Sequence, residues 1–200
     1  MLQKCSILGD FDRNFKVIEN AYKKACYKQC DFFLTSELFL TGYPPQDLIN
    51  RSDFQERIDF FKKKLLKITK SKKTILMLNI PQKYNGEVFN VLLLLKNGAV
   101  VYKKNKSILP NYGVFDEKRY FSTKKIDLTF FSFKKRKIKF LICEEMWSKE
   151  FIKLNKSIKP DLLIAINASP FEIDKFSQRT KIAKENVKAY NSGLIYLNHI

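Results

Sequence analysis

A layered α/β domain is the fold class this sequence predicts, and three observations predict it. Apolar runs of strand length alternate with stretches of helical periodicity from end to end. Two pairs of strand-like runs are joined by short turn words instead of helices, so the sheets are not purely parallel. No Gly/Ser-rich or Pro-rich linker interrupts the 200 residues and no segment repeats, so one domain with a real core is expected. Periodicity alone does not separate such a domain from a doubly wound one.

The elements follow in order. Residues 13–28 set Phe15, Ile18, Tyr22 and Ala25 at helical spacing, and DFFLTSE (31–37) reads as a buried strand. The strongest helical signal is 52–70, where Phe54, Ile58, Phe61, Leu65 and Ile68 share a face and Ser52 is placed to cap it. TILMLNIP (74–81) is a second buried strand, closed by Pro81. VFNVLLLL (88–95), Lys96-Asn97-Gly98 and AVVYKK (99–104) form a hairpin, and IDLTFFSF pairs with KIKFLIC across the turn KKRK. A helix follows Cys143, LLIAIN (162–167) is another buried strand, 176–190 is a helix and GLIYLNH a last strand. Both ends read as unfinished, with mixed residues where a first strand should be completing and a stop at YLNHI.

The net charge of +18 raises the question of a nucleic-acid or anionic-membrane partner. The excess is almost entirely Lys, spread along the chain, and Arg occurs only at 13, 51, 57, 119, 136 and 179. Arg is the side chain suited to bidentate phosphate and guanine contacts, so a Lys-biased composition explains the charge better and no specific nucleic acid is expected. Apolar runs are broken by Lys or Asn well short of the roughly twenty residues a membrane span needs, so no membrane partner is expected. The start, MLQKCSILGDFDRN, has no apolar core or cleavage site of a signal peptide, which makes the cytoplasm the default location. Of the four cysteines, Cys26 and Cys30 lie one helical turn apart, but a single His (His199) and no second Cys pair argue against a zinc site.

Three reactive side chains directly follow strand-like runs, where a rigid sheet meets open loops. Glu37 lies in SELFLTGYPPQDL; a carboxylate there is costly to bury unless paired, and an exposed loop glutamate is the plain alternative. Lys106 lies in KSILPNYGVFDEKRYF, an aromatic loop in a lysine-rich chain where one more lysine is unremarkable by itself. Cys143 ends KFLIC; the amides of a following helix would favour a thiolate there, although a buried structural cysteine fits as well.

Glu, Lys and Cys are together the triad of the nitrilase, or carbon–nitrogen hydrolase, superfamily, and the surrounding words resemble one branch of it closely. SELFLTGYPPQDL is similar to the Glu loop (ELxLxGYPPxDL) of the glutaminase domains of glutamine-dependent NAD synthetases. KSILPNYGVFDEKRYF resembles their Lys loop, ICEEMW their ICEDLW, and NASPFEIDKFSQR their NASPY-x-x-GK segment, in the same order. The resemblance implies Glu37 as general base, Lys106 as the stabiliser of the tetrahedral intermediate and Cys143 as nucleophile. It places Tyr112, Ser169 and Lys175 against the glutamine substrate, Glu117 as a second glutamate beside the triad, and Tyr43 as the tyrosine of the Glu loop. The departures are Glu145 for Asp, Met146 for Leu, and Asp174 in place of the Gly before Lys175.

The implied fold is a four-layer αββα sandwich of the nitrilase type, incomplete at both ends, with helices 13–28 and 52–70 in one outer layer. Residues 1–200 would be a partial carbon–nitrogen hydrolase (glutaminase) domain, and a C-terminal synthetase domain, normally fused, would be absent from the chain. The implied activity is hydrolysis of L-glutamine through a cysteine thioester, without a cofactor for this half. ATP and Mg would serve the other domain, which amidates nicotinate adenine dinucleotide to NAD, and the full protein would be a homo-oligomer. The isolated chain is expected to be a poor enzyme or insoluble. The competing expectation is a free-standing amidase of the superfamily acting on another small amide.

Overall fold

In the computed structural model, which describes residues 1–170 and 172–199, three apolar layers alternate with four layers of secondary structure. The first sheet has the order β1-β2-β3-β4, from Phe32–Leu34, Ile75–Tyr84, Glu87–Lys96 and Ala99–Asn105. The second has the order β5-β6-β7-β8, from Phe131–Phe133, Arg136–Ile142, Leu162–Ile166 and Gly193–Leu197. β1 runs parallel to β2, β6 to β7 and β7 to β8, and the hairpins supply the antiparallel pairs β2–β3, β3–β4 and β5–β6. The helices are α1 (Phe11–Tyr27), α2 (Ser52–Ile68), α3 (Lys149–Asn155) and α4 (Lys175–Tyr190). Two mixed sheets flanked by helices give the four-layer αββα arrangement expected.

Strand alternation builds the layers. Leu76, Leu78 and Ile80 of β2 face the helices, while Ile75 and Met77 face the other sheet. In the second sheet Phe140, Ile142, Ile164 and Ile166 meet them, and Leu141, Leu163 and Ala165 turn outward to Phe151 and Tyr190 of α3 and α4. The strands β2, β3, β6 and β7 are therefore buried on both faces over most of their length, which is why they read as apolar runs.

As expected, α1 and α2 share an outer layer. Asp10 caps α1 by accepting from the Arg13 amide at 3.0 Å. Phe11 stacks on Phe61 with centroids 5.7 Å apart and meets Phe54 edge-on at 5.0 Å. Phe61→Ala should cost about 3–5 kcal/mol of stability, since the ring is buried and an alanine leaves a cavity between the two helices. Chemical denaturation reads this directly, and a loss below about 1 kcal/mol would contradict this packing.

Several boundaries differ from the sequence expectation for local reasons. Ser52 is the first residue of α2 and not its cap; Asp53 instead accepts from the Phe54 amide at 2.9 Å. β2 continues through Pro81, because β1 pairs only with residues 75–77 and leaves that side of β2 without a strand to receive an N–H. Asn97 and Gly98 both take positive φ and make the tight turn of the β3–β4 hairpin. In the second hairpin Lys134 and Lys135 do so, and Arg136 and Lys137 already belong to β6. Only Phe131–Phe133 of the expected strand 126–133 pairs with β6; the carbonyls of Asp127 and Thr129 instead accept from the buried Lys139 ammonium at 2.7 and 2.8 Å. No helix among the described residues is long and apolar enough to cross a membrane.

Candidate active site

β1 stops at Leu34, three residues short of the expected strand end, and the chain turns into the loop that carries Glu37. The turn is fixed from within. Leu38 adopts φ 48° and donates its amide to Asn79 Oδ1 at 2.8 Å. Asn79 donates to Asn90 Oδ1 at 2.7 Å, and Asn90 donates to Glu37 Oε1 at 2.9 Å. Two asparagines on adjacent strands β2 and β3 thus orient one carboxylate oxygen. The loop also packs tightly on the N-terminal segment, where a Cβ at Gly42 would lie 2.5 Å from the Leu8 Cα, so only glycine fits.

Lys106 follows the end of β4 and is fully buried. Its ammonium donates to Glu37 Oε1 and to both oxygens of Glu117, each at 2.8 Å. Burial works against the charge on Lys106, but the carboxylates of Glu117 and Glu37 outweigh it and hold its pKa above the ordinary lysine range. Burial and the nearby Glu37 raise the Glu117 pKa against the pull of Lys106. Tyr43 donates its hydroxyl to Glu117 Oε1 at 2.9 Å, and burial beside Glu117 and Glu37 raises its own pKa. The second oxygen of Glu37, Oε2, is buried with no hydrogen-bond partner among the described residues. That oxygen is the one engaged by neither Asn90 nor Lys106.

Cys143 sits at the end of β6 with φ 45°, a left-handed conformation that costs a non-glycine residue about 1–3 kcal/mol. One 3-10 turn, Cys143–Met146, follows, not the longer helix expected. The sulfur is buried and lies 3.8 Å from Ser169 Oγ. Burial, with the Glu37 carboxylate, pushes the thiol pKa up, against the smaller pull of Lys106. Burial therefore works against a thiolate here, and the four-residue 3-10 turn has less dipole to set against it than the longer helix expected.

Glu145 explains how the bent backbone at Cys143 is held. It is fully buried, accepts from the Ile142 amide at 2.8 Å through Oε2, and through Oε1 accepts from the Ser107 amide at 2.8 Å and the Lys104 ammonium at 2.7 Å. One carboxylate therefore ties the cysteine turn to the segment that carries Lys106. Glu145, which stands where the similar motifs have Asp, makes all these bonds.

The remaining expected residues are Ser169, Tyr112 and Lys175. Ser169 borders a cleft of about 520 Å³ shared with Tyr43, Phe115, Arg179 and His199. Tyr112 is half exposed and donates to Glu144 Oε2 at 2.8 Å. Lys175 opens α4, pairs with Glu172 at 3.1 Å and hangs over the Trp147 ring at 5.8 Å. Hydrogen bonds thus join Glu37, Lys106, Glu117 and Tyr43 in one cluster and bring Cys143 to Ser169, and the charges of Glu37, Lys106 and Glu117 bear on the sulfur. Glu144, next to the cysteine and bonded to Tyr112, was not singled out by the sequence reading; its signal was the Glu that directly follows Cys143 in ICEEMW and matches the Glu of ICEDLW. Among the described residues no cluster of three or more His, Cys, Asp or Glu is arranged to hold a metal ion.

The geometry agrees with what the chain resembles. The sequence profile of the Carbon-nitrogen hydrolase family matches residues 1–186. The glutamine-dependent NAD(+) synthetase of Acinetobacter baylyi is 33% identical over 195 residues, which is 96% of this chain and 35% of that protein. The solved glutamine-dependent NAD+ synthetase of Acinetobacter baumannii superposes with a TM-score of 0.92 at 28% identity, covering 99% of this chain and 37% of its own. An amidase from Nesterenkonia sp. superposes at 0.83 with 22% identity, over 99% of this chain and 74% of its own, a likeness of fold. The chain spans about a third of the length of the NAD synthetases it matches.

Proposed function

The chain belongs to the carbon–nitrogen hydrolase family, and from that premise we propose that it hydrolyses the side-chain amide of L-glutamine through a thioester on Cys143. The observation that carries the proposal is the buried Glu37–Lys106–Glu117 cluster whose charges bear on the Cys143 sulfur. As the neutral thiol attacks the amide carbon, Glu37 Oε2 takes its proton. The oxyanion that forms is held by the Lys106 ammonium and the Glu144 amide. Collapse breaks the carbon–nitrogen bond, and Glu37 returns the proton to the departing nitrogen, releasing ammonia. Glu37 then deprotonates a water that attacks the thioester, and glutamate leaves as the thiol is restored. Lys106 stays charged throughout, which its raised pKa favours.

Recognition of the amino-acid end is assigned to Glu144 and Lys175. Glu144, oriented by the Tyr112 hydroxyl, offers a carboxylate to an α-ammonium, and Lys175 offers a cation to an α-carboxylate. Tyr43 acts through Glu117, and Ser169 shapes the sulfur side of the cleft. The names and greater length of the NAD synthetases above support a further step, in which the ammonia is consumed by an ATP- and Mg-dependent synthetase portion that amidates nicotinate adenine dinucleotide, with this chain as the glutaminase domain. No cofactor enters the glutaminase reaction as proposed.

The test is ammonia release from L-glutamine, D-glutamine and propionamide by the same preparation. L-Glutamine should be preferred in kcat/KM by about 100-fold or more, since a site built for two charged groups leaves them unpaired when either is missing. Faster turnover of the plain aliphatic amide would replace glutamine by another small amide as the substrate.

A further inference from the structure

His199 is the single histidine of the chain, and its imidazole joins three segments. The Ser6 amide donates to Nε2 at 3.1 Å, with the Ser6 hydroxyl also 3.1 Å from that nitrogen. On the other side Nδ1 lies 3.2 Å from the Ser36 hydroxyl, one residue before Glu37, and the ring packs on Phe39 with centroids 6.0 Å apart. An amide N–H can only donate, so Nε2 must be the acceptor. The proton then sits on Nδ1 and is given to Ser36 Oγ.

The backbone of the same residue belongs to the other sheet. The His199 amide donates to Asn167 O at 3.2 Å, beyond the ends of β7 and β8. Its neighbour Asn198 brackets Ser169, accepting from the Ser169 amide at 3.0 Å and donating to its carbonyl at 3.2 Å. Ser169 touches the Cys143 sulfur. One dipeptide therefore grips the Glu37 loop of the first sheet and the Ser169 loop of the second, at the end of the sandwich where the reacting groups meet.

We propose that neutral His199 is a positioning residue for the Cys143 centre, clamping the Glu37 loop to the Ser169 loop. Protonating Nε2 would set two donors, its own N–H and the Ser6 amide, against each other and open the clamp. Burial lowers the His199 pKa, which keeps the ring neutral until the pH falls below the ordinary histidine range. Arg179, Lys184 and Lys188 of α4 line one cleft with it, and Tyr43 and Tyr196 border it, while Glu37 adjoins its Ser36 partner. The kinetic part of this inference rests on the amide-hydrolase reading; the alkylation part does not.

The experiment compares wild type, His199→Leu, His199→Gln and Ser36→Ala between pH 4.5 and 8. It measures ammonia release from L-glutamine and, by mass spectrometry of the Cys143 peptide, alkylation by iodoacetamide. With one histidine, the imidazole C2 proton resonance reports its protonation directly. In His199→Leu both rates should fall about tenfold or more at every pH, with KM little changed, because reacting groups tolerate misplacement of only about half an ångström. His199→Gln, whose amide can both accept from Ser6 and donate to Ser36 without titrating, should restore the rates at pH 8 and remove the part of the acid decline that follows the wild-type resonance. Wild-type alkylation by His199→Leu, or the same acid decline in His199→Gln, would overturn the proposal. Should His199→Leu fail to fold, Ser36→Ala decides: slower alkylation supports the clamp and an unchanged rate removes it. A wild type that does not hydrolyse glutamine while its alkylation follows the histidine titration would refute the substrate and keep the clamp.

Discussion

Cys143→Ala is expected to abolish ammonia release, by about 10⁴-fold or more, while leaving the fold and substrate binding in place. The sulfur forms the bond to the substrate carbon in the proposed reaction, and none of the groups placed around it can replace a nucleophile. Glu117 binds Lys106 through both oxygens, Glu37 is the proposed base, and Ser169 has its hydroxyl 3.8 Å from the sulfur with no base assigned to it. The structural cost should be small. The side chain loses one buried atom, and the positive φ at this position strains cysteine and alanine alike. The variant should therefore still bind L-glutamine in calorimetry and should trap no thioester. Residual turnover within tenfold of wild type would show that another group attacks. In a longer protein carrying a synthetase portion, synthesis from free ammonia should survive the same substitution.

The parts of this molecule legible in the sequence are those that obey a period. Phe54, Ile58, Phe61 and Leu65 announced α2 because a helix buried on one face must repeat in that way. The two hairpins were legible because their strands end in residues that accept positive φ or solvent, as at Asn97-Gly98 and Lys134-Lys135. The boundaries that were misread depend on partners distant in sequence. Nothing local in DFFLTSE tells that the ladder ends at Leu34; the end is set by Asn79, which captures the Leu38 amide from another strand. Pro81 reads as a terminator in isolation and is tolerated because β1 is short.

The site shows the same division. Glu37, Lys106 and Cys143 were visible as reactive groups at strand ends, but each was as well explained by an ordinary role until the motif resemblance joined them. Their connection runs through side chains with no pattern of their own: Asn79 and Asn90 hold Glu37, and Glu145 holds the cysteine turn against the Lys106 segment. Glu145 stood out only as a departure from a motif, and His199 only as an argument against zinc. The state of the sulfur could not be read either, because burial and the Glu37 charge, which raise its pKa, are consequences of packing.

Lys106→Met is expected to lose both activity and stability, and the pH dependence of the second loss tests the charge arrangement itself. The wild-type ammonium binds two buried carboxylates, Glu37 and Glu117, at 2.8 Å. Methionine fills similar space but leaves those two negative groups facing each other without a cation, a change that costs about 3–5 kcal/mol when a buried pair loses one partner. At least one carboxylate must then hold a proton in the folded state at neutral pH. Its folded pKa rises above the unfolded value, as burial and Glu37 already raise that of Glu117. A carboxyl with a raised folded pKa contributes stability below its unfolded pKa and loses it as pH rises through the folded value. The deficit of Lys106→Met should therefore be smaller near pH 5 and grow toward pH 8. In wild type Lys106 acts in the same direction but only at high pH: its raised pKa contributes stability that is complete below the unfolded lysine value and is lost as pH climbs through the folded one. Melting temperatures of both proteins across pH 5 to 8, alongside ammonia release, decide the matter. Turnover should fall by about 10³-fold or more, since the ammonium is the proposed partner of the oxyanion. A deficit that stays constant with pH would mean that Glu37 and Glu117 do not share a buried charge balance with Lys106, and turnover within tenfold of wild type would move the oxyanion partner elsewhere.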